Sequence, residues 1–167
     1  ILSVGSMLDK TDEVIDASNC VVMPGLINAH THSAMTLFRG YANDMELQEW
    51  LMKNIWPVET RLQKRHIYYG SLLACIEMIK SGTTCFNDMY YMMEETAKAC
   101  EESGVKSFLC HVLYDFNKES LDVTKNLPSL LKDFKNSEFV VGPHSIYGKA
   151  PWDKDSYSFE RNKRRSL

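Results

Sequence analysis

The residues with the most direct capacity for chemistry are His30 and His32, at the close of Pro24-Gly25-Leu26-Ile27-Asn28-Ala29-His30-Thr31-His32. Residues two apart in an extended strand point the same way, so both imidazoles leave one face. Two imidazoles on one face at a strand end can share a metal ion. Five histidines scattered at random over 167 residues would form such a pair about 0.15 times. The weight therefore falls on context. The pair ends an apolar, β-prone run that begins at Val21-Val22-Met23, and the Pro-Gly break within that run marks entry into a new layer.

The elements that must position these histidines follow from periodicity. Residues 13–17 alternate weakly, as a short exposed strand does. Ser33 to Met45 reads as loop, and Leu47 to Leu51 as a short amphipathic piece. Pro57 suits the first turn of a helix. The longest helical signal covers 58–80, with Leu62, His66, Tyr69, Leu73, Ile76 and Ile79 at threes and fours and Ser81-Gly82 as the stop. A strand is expected over 83–89, a helix over 91–103 closed by Gly104, and a strand over 105–113. A helix over 120–134, with Pro128 as its weak point, precedes a last strand over 138–144. Strand-helix alternation of this kind predicts a parallel sheet covered by helices. His30, His32, Asn87, Asp88 and His144 fall at or near the C-terminal ends of its strands, where a (β/α) barrel carries its chemistry.

Composition narrows the function classes. The chain is 44% apolar and 25% charged with net charge −3, which gives no electrostatic case for nucleic acid or an anionic membrane. No window approaches the apolar length of a membrane span, and no basic-then-apolar leader is seen, so the expected location is cytoplasmic. Cys20, Cys75, Cys85, Cys100 and Cys110 form no C-x-x-C pair and read as reduced, mostly buried thiols. The H-x-E and P-C-x-x-C pattern of the cytidine-deaminase type of zinc enzyme is absent.

The same stretch, followed by Met35-Thr36-Leu37-Phe38-Arg39-Gly40, resembles the metal-dependent amidohydrolase superfamily. Leu47-Gln48-Glu49-Trp50-Leu51, Ile55-Trp56-Pro57-Val58-Glu59, Gly82-Thr83-Thr84, Asn87-Asp88-Met89 and Gly142-Pro143-His144-Ser145-Ile146-Tyr147 resemble its 5′-methylthioadenosine/S-adenosylhomocysteine deaminase branch. Guanine deaminases and chlorotriazine hydrolases are cousins of that branch. The resemblance implies the N-terminal half of a (β/α)8 TIM-type barrel over 23–150, with residues 1–22 a remnant of an accessory β-sandwich. By motif position it implies His30 and His32 as the first two ligands of a divalent metal, zinc foremost and iron as the alternative. It also implies Trp50, Glu59 and His144 as contacts for a small nucleoside substrate, Glu59 through ribose hydroxyls. Each has a plainer competitor: packing for Trp50, the helix dipole for Glu59, an ordinary loop histidine for His144. His66 is expected to be solvated, His111 to sit in the core or support a ligand, and Asp88 to orient a ligand from behind.

The reaction so implied is hydrolytic deamination of an adenine ring, for which the family draws a Glu and an Asp from later strands. Neither is found in this chain, so no catalytic carboxylate is assigned. The N-terminus is expected to be cut, and residues 151–167 to be an aberrant, unordered tail. Back-translated from Asp155 with A/T-rich codons and read one base later, that tail spells Ile-His-Ile-His-Leu-Lys-Glu, resembling the family's next metal motif. A frameshifted fragment is the corresponding expectation. Three readings remain: an adenosine-type deaminase by lineage, a guanine or chlorotriazine enzyme of the same family, and a catalytically silent truncated chain. The last is favoured for this polypeptide alone. Its open strand edges would favour a homo-oligomer.

Overall fold

The computed structural model describes residues 13–113, 129 and 132–143. Four strands, β1 (Leu26–Thr31), β2 (Thr83–Tyr90), β3 (Lys106–Leu113) and β4 (Ser137–Pro143), form one sheet in the order β1-β2-β3-β4. Every neighbouring pair is parallel, which demands a crossover between each. Helix α3 (Lys64–Lys80) crosses from β1 to β2 and α4 (Met93–Ser103) from β2 to β3. Sequential parallel order with helical crossovers is how a (β/α) barrel begins.

All four strands fall within a residue or two of the expected positions. The helix expected over 120–134 lies almost wholly outside the described residues, as do residues 1–12, His144 and the tail over 151–167. The strand expected over 13–17 does not form among the described residues. Asp16 instead closes a local turn, its Oδ1 accepting the Ser18 backbone N–H at 3.0 Å, a competition with strand pairing that short polar side chains often win.

The single helix expected over 58–80 is two. Residues 47–59 are one helical segment made of α1 (Leu47–Glu49), a wide π turn (Trp50–Ile55) and α2 (Trp56–Glu59). The chain then turns through 60–63, and Gln63, extended at φ −117° and ψ 162°, starts α3. Pro57 accounts for the wide turn. In a regular α-helix its ring would strike the carbonyl four residues back, and widening the turn moves that carbonyl aside. The stretch after His32, expected as loop, opens as a 3-10 helix over Ser33–Phe38.

The buried face of α3 is not the one its large apolar residues mark. Ile67, Gly70, Ser71, Ala74 and Cys75 are buried, whereas Tyr69, Leu73, Ile76 and Ile79 are exposed. Small residues are needed because α3 lies against both the 3-10 helix and α4. A Cβ on Gly70 would stand 2.6 Å from the Ala34 carbonyl oxygen. Under the sheet, one core cluster gathers Ala34, Ile67, Tyr90, Met93, Ala97 and Leu109, and a second gathers Cys75, Phe86, Cys100 and Val105. Fully burying a side chain such as Phe86 or Ile67 contributes about 1.5–3 kcal/mol. Gly104, at φ 76°, caps α4 in the left-handed conformation and releases the chain into β3. All five cysteines are free, with Cys75, Cys100 and Cys110 buried and Cys20 exposed.

Candidate functional site

His30 stands on β1 and His32 directly after its last residue, Thr31, whose side chain faces away from the pair to Asp88. The two imidazole rings stand 5.0 Å apart between centroids, nearly perpendicular at 78°. His32 is further fixed from β2, its Nδ1 lying 2.6 Å from the Met89 carbonyl oxygen. A carbonyl only accepts, so Nδ1 carries the proton and donates, leaving the Nε2 lone pair for a ligand. Two adjacent imidazoles, one with its tautomer already set, are a donor set that suits a divalent metal. Among the described residues, no third His, Cys, Asp or Glu joins them as a metal cluster.

Asp88 holds the pair from behind. Its side chain is fully buried and accepts three hydrogen bonds from the residues flanking His32. Thr31 Oγ1 donates at 2.9 Å and the Ser33 backbone N–H at 2.8 Å, both to Oδ1. Ser33 Oγ donates to Oδ2 at 2.5 Å. The hydroxyls of Ser33, Ser71 and Thr96 continue the chain at 3.1 and 3.0 Å, tying the end of β1 to α3 and α4. Burial pushes the Asp88 carboxyl above its ordinary value, against the pull of these donors. The register agrees, with Thr31 opposite Asp88 across the β1–β2 ladder.

Beside His32 lies a cavity of about 290 Å³, in whose wall Trp50 and Glu59 also stand. The rest of the wall is mostly apolar, including Met35, Leu47, Leu51 and Ile55. Glu59 Oε1 accepts a 2.7 Å hydrogen bond from the Tyr90 hydroxyl. Burial, and then the Glu59 carboxyl, push the Tyr90 phenol upward, so it stays a donor. Three of the residues singled out from sequence (His32, Trp50 and Glu59) therefore share one cavity, and His30 adjoins it through His32.

Other expectations resolve differently. His144 lies outside the described residues. His66 is not simply solvated: its Nδ1 accepts the Gln63 backbone N–H at 3.0 Å and caps α3. His111 is half-buried on β3, in register with Tyr90 and Val141, and does not join the histidine pair. Asn87 binds across the ladder, its Nδ2 donating to the Ala29 carbonyl at 3.2 Å. Sequence reasoning missed Tyr90 and Ser33. The available signal was alternation along β2, which sets Tyr90 on the same side as Asp88 at the strand's chemical end.

Residues 21–157 match the amidohydrolase family. The 5-methylthioadenosine/S-adenosylhomocysteine deaminase 1 of Archaeoglobus fulgidus is 45% identical over 151 residues, 88% of this chain and 36% of that protein. The 5′-deoxyadenosine deaminase of Methanosarcina mazei is 60% identical over 111 residues, 66% of this chain and 26% of that protein. Among solved structures, a zinc-bound adenosine deaminase from Xanthomonas campestris aligns with a TM-score of 0.69 and 34% identity, over 75% of this chain and 30% of that one. The chain thus spans about a third of the length of the relatives it matches. A match that runs from Val21 to Tyr157, through all four strands, shows that the chain belongs to the amidohydrolase family.

Proposed function

We propose that this chain forms the metal- and nucleoside-binding portion of a hydrolase that removes ammonia from the adenine ring of 5′-substituted adenosines, 5′-methylthioadenosine and S-adenosylhomocysteine among them. The observation that carries the reading is the shared cavity of His32, Trp50 and Glu59. The names of the relatives from Archaeoglobus and Methanosarcina support the substrate class. His30 and His32 would hold the ion, zinc being favoured by its presence in the Xanthomonas relative. When bound, a divalent ion supplies Lewis acidity for hydrolysis at the amine-bearing carbon.

The chain's own residues do the rest of the binding. The Met89 carbonyl holds the His32 tautomer in which Nε2 can ligate. Trp50 offers an aromatic face to the purine or sugar. Glu59 accepts hydrogen bonds from the ribose hydroxyls, a match because an ionised carboxylate only accepts and the sugar diol can donate twice. Leu51 and Ile55 add apolar surface to the same wall. His144, following β4, is proposed as a further substrate contact.

Equilibrium dialysis with zinc-loaded protein and labelled 5′-methylthioadenosine tests the reading. Saturable binding is expected, displaced by adenosine and 5′-deoxyadenosine and poorly by guanine or a chlorotriazine. Guanine displacing the nucleoside as well as adenosine does would refute it.

A further inference from the structure

Three successive residues at the end of β2 each fix a different part of the site. Asp88 holds Thr31 and Ser33 through its carboxyl, and Met89 holds His32 through its backbone carbonyl. Tyr90 holds Glu59 through its hydroxyl. The first two act on the histidine pair. The third acts on the helical segment 47–59 that lines the same cavity.

Tyr90 is well suited to that task. Its ring is part of the core cluster with Ala34, Ile67, Met93, Ala97 and Leu109, and the whole residue is only 7% exposed. The hydroxyl is therefore a fixed point, whereas Glu59, at the end of α2 and half-buried, has a side chain of several rotors. The hydroxyl engages Oε1 at 2.7 Å, and among the described residues Oε2 takes no hydrogen bond. A carboxyl group tethered by one oxygen to a rigid phenol presents the other in a set direction, and prior immobilisation removes an ordering cost that binding would otherwise bear.

We infer that Tyr90 is a positioning residue for ribose recognition, acting through Glu59 to favour nucleosides that carry a 2′,3′-diol over those that lack it. The inference rests on the proposed role of Glu59 as the ribose contact. It assigns to the β2 strand end a part in substrate choice as well as in holding the histidines.

Tyr90→Phe keeps the ring and its packing and deletes only the donor. Dissociation constants for adenosine and for 2′,3′-dideoxyadenosine are to be measured on zinc-loaded wild type, Y90F, E59Q and the double variant. Freezing a rotor-rich side chain is worth about 0.5–1.5 kcal/mol, so Y90F is expected to weaken adenosine binding by about 2–12-fold. It should leave 2′,3′-dideoxyadenosine within about twofold, and it should add nothing once Glu59 is Gln, since coupled residues are not additive. Equal loss for both nucleosides would mean a merely structural role and overturn the inference. So would an unchanged preference in Y90F alongside a lost preference in E59Q, which leaves the reading of Glu59 standing. A preference unaltered by E59Q would overturn both.

Discussion

Removing the Asp88 carboxyl separates its structural load from its charge. Asp88→Ala takes away the acceptor for three donors, but two of those have alternatives. Thr31 Oγ1 also lies 2.9 Å from the Asn87 carbonyl, and Ser33 Oγ lies 3.1 Å from Ser71 Oγ. The Ser33 backbone N–H has no such substitute, and Ser33 is only 3% exposed. A buried donor left unpaired costs about 1–3 kcal/mol, and with the packing lost from a fully buried site the total is about 2–4 kcal/mol. Asp88→Asn is nearly isosteric. Its Oδ1 still accepts from Thr31 and from the Ser33 N–H, and the Ser33 hydroxyl can reverse, accepting from the amide and donating to Ser71. A cost near 1 kcal/mol is expected, because burial already offsets much of what the charge would gain. Urea unfolding of metal-free protein, followed by tryptophan fluorescence, measures both. The sign with pH is fixed by the raised carboxyl. A group whose folded value exceeds its ordinary 3.8 adds stability that is full below that pH and is lost as pH rises through the folded value. Wild type should therefore gain on Asp88→Asn as pH falls from about 7 towards 4. Asn as damaging as Ala, or a gap that widens with rising pH, would refute the reasoning.

Three further outcomes test the frame around the site. His30→Ala and His32→Ala should each weaken zinc binding by more than about tenfold in a chelator competition. His66→Ala should leave zinc affinity unchanged and lower stability by about 0.5–1 kcal/mol through loss of the α3 cap. Gly70→Ala should destabilise by about 1–3 kcal/mol, since the new Cβ must push the 3-10 helix off α3. A Gly70→Ala melting temperature at or above wild type would show that this contact yields freely.

Much of the fold is legible in the sequence because the strands are short β-prone runs bounded by strong punctuation, such as Gly82 before β2 and Gly104 before β3. The histidine pair is legible for the same reason: strand period alone aligns His30 with His32. What could not be read is what depends on close approach. The core face of α3 is written in Gly70, Ser71, Ala74 and Cys75, residues that give little hydrophobic signal. Tyr69, Leu73, Ile76 and Ile79 repeat at helical spacing on the exposed side. His66 looked like a solvent-facing residue because a cap is a local hydrogen bond to the backbone, invisible to periodicity. Asp88 falls at a strand end in the sequence, yet its grip on Thr31 and Ser33 follows only from the β1–β2 register. Tyr90 reads as core, and is core. Only its hydroxyl belongs to the site.

The wide turn at Trp50–Ile55 has a consequence for rotational phase along the helical segment. Nine residues of uninterrupted α-helix turn through about 900°, which would set the side chains of residues 50 and 59 on opposite sides. A hydrogen bond from the Trp56 N–H to the Leu51 carbonyl closes a turn holding one extra residue. That setback of about 100° brings Trp50 and Glu59 to within about 80° of each other. The aromatic and the carboxyl group thus face one cavity because the wide turn absorbs one residue between them. A one-residue deletion between 51 and 55 would restore the regular helix, and the eight residues then separating the two positions turn through about 800°, so Trp50 and Glu59 would keep the same phase on the cavity. The wide turn thereby lets the segment carry one residue more than a regular helix would allow without altering what the site can recognise.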